Sequence, residues 1–264
     1  MNAGVVIVAI GRELVNGRTL DTNSRSLARS CTMLGLRVTG IHVIDDVASD
    51  IVKTMRSALA TRPLLIITTG GLGPTADDMT LASVARAVKR TIVKNRRAVA
   101  MLERRYTQLY RKGLLHTKGW NEGRIKMAML PARATPLRNP AGTAPAALLK
   151  QGPTTIVCLP GVPAEALAIF DDSVTAWIRR HGPRNVWYER SLKTGSYDES
   201  VLRDQLDRVS AAFPDVYIKS SPAGFLKEKS LEVFFTSTGS SKAQVVRRVK
   251  GAMDLLRRLM RAGS

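Results

Sequence analysis

Two adjacent carboxylates beside a run of glycines mark the chemistry open to this chain. The stretch Thr69-Gly70-Gly71-Leu72-Gly73-Pro74-Thr75-Ala76-Asp77-Asp78-Met79-Thr80 joins an apolar run at 64–68 to a segment with apolar residues at Leu81, Val84, Ala85 and Val88. The first run reads as a buried strand and the second as a helix. Glycines let backbone approach a ligand closely, and the start of a helix presents free N–H groups to an anion. A phosphate suits such a place. The loop is not a Walker loop, because no Lys follows its second glycine group, and it lacks the spacing of the dinucleotide fingerprint. Asp77 and Asp78 repel an anion unless a cation lies between, so the pair predicts a divalent metal with oxygen ligands. The competing reading is a tight strand-to-helix turn capped by Asp.

Other acids recur at equivalent places. Glu13 follows the apolar run at 5–10, in a loop expected at 11–17, and Asp45-Asp46 closes a second run at 38–44. Helical patterns separate these strands: one starts at Asp21, Thr22 or Asn23 and carries Leu27, Cys31 and Leu34 to Gly35, and another carries Ile51, Val52, Met55, Ala58 and Leu59. Strands alternating with helices at this spacing predict right-handed βαβ units and a parallel sheet covered on both faces. Ligands of such sheets bind beyond the carboxyl ends of the strands, where Glu13, Asp45, Asp46 and the 70–78 loop all fall. The alternatives are a solvated Glu13 and a helix-capping role for Asp45-Asp46.

Further along, 95–112 reads as an amphipathic helix from its pattern Val99, Leu102, Tyr106, Leu109 and Tyr110, with its Arg and Lys residues solvated. A loop is expected at 113–122 and a short helix or turn at 126–131, from which Lys126 can reach a phosphate. Turn-rich residues 137–145 precede strands at 146–149 and 155–159. Pro160-Gly161-Val162-Pro163-Ala164-Glu165 then forms one more strand-to-helix loop, with a helix running to about residue 180. After His181-Gly182-Pro183 the order becomes β-α-β-β-α, as in part of a ferredoxin-like unit. The expected domains are residues 1–180 and 184–264.

With 264 residues and 44% hydrophobic content, the chain can bury a full core. It contains no apolar stretch long enough to span a bilayer, and its start lacks a basic segment with a cleavage site, so a cytoplasmic location without membrane partners is expected. Cys31 and Cys158 read as small buried apolar residues, and three scattered histidines give no zinc spacing. The formal charge of +20, concentrated at 86–126 and 242–261, raises a nucleic-acid surface as the lesser reading. No zinc finger, aromatic-interleaved RNA motif or helix-turn-helix accompanies it. A field that gathers polyphosphate ligands, or simple solubility, explains the charge as well.

The ordered set Gly11-Arg12-Glu13 through Gly17 to Asn23, Thr69 through Thr80, Asn139-Pro140-Ala141-Gly142-Thr143-Ala144-Pro145 and Leu159 through Glu165 resembles the CinA (competence/damage-inducible protein A) family. That family's N-terminal domain is similar to the molybdopterin-binding MoaB and Mog proteins. The tail from Lys193-Thr194-Gly195 through Glu199-Ser200 resembles its small middle domain. The resemblance implies a three-layer α/β/α fold with a mostly parallel sheet, followed by a small α+β domain. It also implies metal-dependent hydrolysis of a nucleoside diphosphate linkage, as in ADP-ribose or FAD; the alternatives are a non-catalytic molybdopterin or nucleotide binding protein and a molybdopterin adenylyltransferase.

Carried over by motif, Gly70, Gly71, Gly73 and Thr75 hold phosphate, Asp78 and Asp77 orient Mg²⁺, Mn²⁺ or Co²⁺, and Asp45 supports that metal. Glu13 and Asn23 shape the site, while Asn139, Gly142, Thr143, Pro160, Gly161 and Glu165 form its far wall. A homo-oligomer is implied in the same way. Three positions depart from the family pattern: Met127 stands where Gln is usual, Ala146 where Gly is usual, and Ala132-Arg133 where a Glu-Gly pair is usual. The resemblance does not reach the family's amidohydrolase domain, so nicotinamide mononucleotide deamidation is not expected.

Overall fold

The computed structural model describes residues 4–194, 198–221 and 231–262, which leaves Gly195 of the tail motif outside the described residues. The chain divides into two compact units, one of residues 1–32 with 36–183 and the other of residues 33–35 with 184–264.

The first unit is built in the order β1 (Gly4–Ile10), α1 (Arg12–Val15), α2 (Thr22–Met33), β2 (Arg37–Ile44), α3 (Ala48–Ala60), β3 (Leu65–Thr69), α4 (Thr80–Ala87), β4 (Ile92–Lys94), α5 (Arg96–Arg111), α6 (Glu122–Met127), β5 (Met129–Pro131), β6 (Thr135–Leu137), β7 (Ala146–Gln151), β8 (Thr154–Leu159), α7 (Pro163–Ile169) and α8 (Thr175–His181). Six strands form one sheet in the order β2-β1-β3-β8-β7-β6. The strands β2, β1, β3 and β8 run parallel, whereas β7 and β6 are antiparallel additions.

The central strands β1, β3 and β8 are buried at every position, so both faces of the sheet are covered. That is why they read as continuous apolar runs rather than alternating ones. On one face Val6, Val8, Ile10, Ile66, Ile156 and Cys158 meet Ile51, Met55, Val84 and Leu102 from α3, α4 and α5. Each such side chain taken fully from water contributes about 1.5–3 kcal/mol. Both cysteines are free and buried, and burial raises their thiols to about 12 for Cys31 and about 11 for Cys158.

Register places the loops. Ala9 pairs with Thr69, Thr69 with Leu159, and Ile10 with Ile44, so the four parallel strands end level with one another. Gly11 N–H donates to Ile44 O at 3.0 Å and Gly70 N–H to Leu159 O at 3.1 Å, which ties the rim together. Since β7 runs against β8, with Ala147 opposite Cys158, the segment entering β7 reaches the same rim.

Three local expectations are corrected. Residues 11–17 read as a loop in the sequence, yet Arg12–Val15 makes one helical turn. The expected helix or turn at 126–131 is split between α6 and β5, and β5 pairs with the unexpected β4; strands of three residues are too short to show a period. The helix from Pro163 is interrupted by a π turn at Phe170–Val174.

The second unit follows the expected β-α-β-β-α order: β9 (Val186–Lys193), α9 (Arg203–Ala212), β10 (Tyr217–Ser221), β11 (Glu232–Gly239) and α10 (Lys242–Ala262). Its antiparallel sheet, ordered β10-β11-β9, buries Val233 and Phe235 with Val209, Val249 and Leu256. Among the described residues no helix is long and apolar enough to cross a membrane.

Candidate functional site

A cavity of about 420 Å³ opens at the carboxyl rim of the sheet. One wall is the glycine loop. Gly70 has φ +99° and a Cβ there would lie 2.1 Å from Ile10 O; Gly71 has φ +66° and its Cβ would lie 2.3 Å from Thr80 Oγ1. Neither position admits a side chain. The Thr80 hydroxyl donates to Gly70 O at 2.8 Å and closes the turn into α4.

Asp78 lies over Gly73 and is held within its own loop. Its Oδ2 accepts from Thr75 N–H at 2.9 Å and from Thr75 Oγ1 at 2.6 Å. Lys126 Nζ donates to Thr75 O from the outer side of that loop. Hydrogen bonding from Thr75 and from its own backbone, together with the Lys126 charge, holds the Asp77 carboxyl below its ordinary pKa.

The strand ends supply two more acids. The Glu13 carboxylate folds back over Gly11, within 2.5 Å of where a Cβ would stand. Of the Asp45-Asp46 pair, Asp46 lines the cavity and Asp45 does not. Asp45 Oδ1 instead meets Arg12 Nε at 3.2 Å, with Arg12 Nη2 3.7 Å from Asp46 Oδ1. Asp45, expected at the site, is thus turned away from the cavity and its neighbour toward it, because consecutive residues at a strand end point in different directions. Hydrogen bonding to Asp46 and to Arg12 lowers the Asp45 carboxyl, and the shared hydrogen bond, partial burial and the Asp45 charge raise that of Asp46.

The far wall depends on Asn139, which is buried with all its bonding capacity used. Its amide donates to Ala144 O at 2.9 Å and to Glu165 Oε2 at 2.6 Å, and its carbonyl accepts from Ala141 N–H at 3.1 Å and Gly142 N–H at 2.7 Å. Glu165 then passes over Gly142, where a Cβ would stand 2.1 Å from its carboxylate. Asn23 acts from behind in a similar way, donating to Gly161 O at 2.7 Å while its buried Oδ1 has no partner.

Of the residues expected at the site, Glu13, Gly70, Gly71, Gly73, Asp77, Asp78, Thr143, Pro160, Gly161 and Glu165 line the cavity. Asn23, Thr75, Asn139 and Gly142 support it, and Lys126 lines a neighbouring hollow behind the loop. Asp46 and Met127 line the cavity although the motifs assign neither to it; for Asp46 the Asp doublet was the available signal, and for Met127 only its departure from the family's Gln. Among the described residues five carboxylates therefore face this space, and no Lys or Arg does, in a chain of charge +20.

An α/β sheet with a glycine-walled, acid-lined cavity at its carboxyl rim is a ligand-binding architecture. The chain belongs to the family described as probable molybdopterin binding domain, which it matches over residues 6–180. It is 36% identical to a protein of Pyrobaculum aerophilum over 97% of this chain and 93% of that one. It is 35% identical to a protein of Pyrococcus furiosus, over 90% and 93% respectively. Among solved structures it is similar to the protein CinA with unknown function from Thermoplasma acidophilum, with a TM-score of 0.60 and 29% identity over 68% of this chain and 97% of that one.

Proposed function

We propose that the rim cavity binds a phosphate-bearing pterin or nucleotide through a divalent cation, and that the chain hydrolyses a diphosphate linkage of the ADP-ribose or FAD type. The observation that carries this reading is the lining: among the described residues, glycine backbone and five carboxylates without a basic side chain. A phosphate cannot sit among those charges uncompensated. The donor set is oxygen alone, which fits Mg²⁺, Mn²⁺ or Co²⁺.

Among the described residues no three His, Cys, Asp or Glu side chains are already grouped to hold a metal ion. A cation here would therefore need ligand phosphate oxygens to complete the coordination begun by one or two carboxylates, an arrangement known for Mg²⁺. Asp78 and Asp77 would hold the cation, with Asp46 nearby, and a bound cation would polarise phosphoryl oxygens and acidify water. The chain's own part is placement: Gly70, Gly71 and Gly73 let backbone reach the phosphate, Thr75 fixes Asp78, and Asn139 fixes Glu165 where a carboxylate can orient water.

Chromatography of products from ADP-ribose and FAD, with and without Mg²⁺ or Co²⁺, tests the reading. AMP should form only with metal and vanish with Asp78→Asn; turnover retained by that variant would mean that Asp78 is not the residue holding the cation. A second reading, non-catalytic binding of a pterin or nucleotide, is favoured by the apolar Met127 in the lining and by the bonds that Asp78 already makes to its own loop. It predicts saturable binding without product. An adenylyltransferase would instead consume ATP in the same assay.

A further inference from the structure

Behind the wall formed by residues 139–143 lies a second hollow of about 200 Å³, and its charge is the reverse of the cavity's. Arg104, Arg105 and Gln108 of α5 line it together with Arg138, and among the described residues no carboxylate does. Thr143 belongs to both linings, so the two spaces are neighbours across a single residue. Arg138 is already engaged, donating to Asp172 of the π turn at 2.7 Å. Arg104 and Arg105 have no carboxylate partner among the described residues. Arg105 Nη2 donates to Ala141 O at 3.3 Å, and its Nε is buried with no acceptor at all. A buried donor of a charged group left unmet is costly, and an anion held by the rest of the guanidinium would offset that cost electrostatically.

We propose that this groove is a second anion subsite, in which Arg104 and Arg105 hold a phosphate or carboxylate of the ligand directly and without a metal. A guanidinium offers a planar pair of donors that matches either group. The groove is smaller than the roughly 300–1,000 Å³ of a pocket that takes a whole small molecule, so it receives one end of a longer one. The ligand is then a diphosphate compound carrying an additional acidic group, bridged by cation in the cavity and gripped by arginine beyond Thr143. This rests on the cavity reading above only for the claim that one ligand spans both spaces.

The test separates the two. Inorganic pyrophosphate is titrated calorimetrically into the full chain in excess EDTA, which removes any cation-bridged binding. One saturable site is expected, weakened about tenfold or more by Arg104→Gln/Arg105→Gln and unchanged by Asp78→Asn. Arg104 is exposed, so Arg104→Gln alone keeps the test informative should the double variant fail to fold; it should weaken binding severalfold. No binding by the unaltered chain, equal binding by the arginine variants, or loss in Asp78→Asn would each overturn the subsite. With Mg²⁺ present, ADP-ribose 2′-phosphate should bind more tightly than ADP-ribose to the unaltered chain and equally to the double variant. A preference that survives the arginine changes would overturn the spanning ligand, whatever the product assay shows.

Discussion

The acid-lined cavity and the arginine-lined groove meet at Thr143, yet their charged groups are held in opposite ways. In the cavity, Asp78 is fixed by Thr75, Glu165 by Asn139, and Asp46 by Arg12, which also holds Asp45 beside it. In the groove Arg105 has one carbonyl partner and a buried N–H with none. The cavity is therefore preorganised by the fold, at the expense of positions that tolerate no substitution, while the groove is completed by what it binds. Changes to cavity supports should cost stability, and changes to groove arginines should cost binding alone.

The largest effect is expected at the glycine wall. Gly70→Ala sets a side chain 2.1 Å from Ile10 O at φ +99°. It should destabilise the chain by more than about 4 kcal/mol or prevent folding, as read by urea denaturation followed by circular dichroism. Next comes Asn139→Ala, which strips partners from two loop amides, a carbonyl and Glu165. A loss of about 2–4 kcal/mol is expected; a loss below about 1 kcal/mol, close to the range of an ordinary surface change, would mean the far wall is not held as described.

Asp78→Asn should sharpen the contrast, since the Asn carbonyl still accepts from Thr75. Stability should change by no more than about 1 kcal/mol, while cation-dependent ligand binding is lost. The pH dependence should follow Asp46. Its carboxyl is raised, so it ionises above the ordinary Asp range, and cation binding should strengthen as pH rises through that value. Asp46→Asn should remove this step from the binding profile. Asp45, lowered in the fold, contributes stability that is present above the ordinary Asp value and lost as pH falls through the lowered one. The smallest effect belongs to the groove: Arg104→Gln should shift stability by less than about 0.5 kcal/mol, and a larger shift would show that the groove, too, is part of the scaffold.

The legible part of this protein was the part fixed by strand runs and turn residues. Runs at 5–10, 38–44, 64–68 and 155–159 marked all four level parallel strands, and the glycine and acid loops after them marked the rim. Asn139 was legible only as a wall residue, because nothing in a sequence says that its amide spans Ala144 and Glu165. The choice between Asp45 and Asp46 was hidden for the same reason: it depends on which of the two carboxylates the chain turns toward the cavity. The groove was invisible, since Arg104 and Arg105 read as the solvated face of an amphipathic helix until residues 138–143 were laid against it.

The central claim is that ligand phosphate enters the cavity with a cation, and equilibrium dialysis of Mn²⁺ tests it most directly. With ADP-ribose equal on both sides of the membrane, the unaltered chain should retain Mn²⁺ and Asp78→Asn should not. Retention should fall sharply when ADP-ribose is left out, because phosphate oxygens complete the coordination. Absence of retained Mn²⁺, or equal retention by Asp78→Asn, would contradict the account.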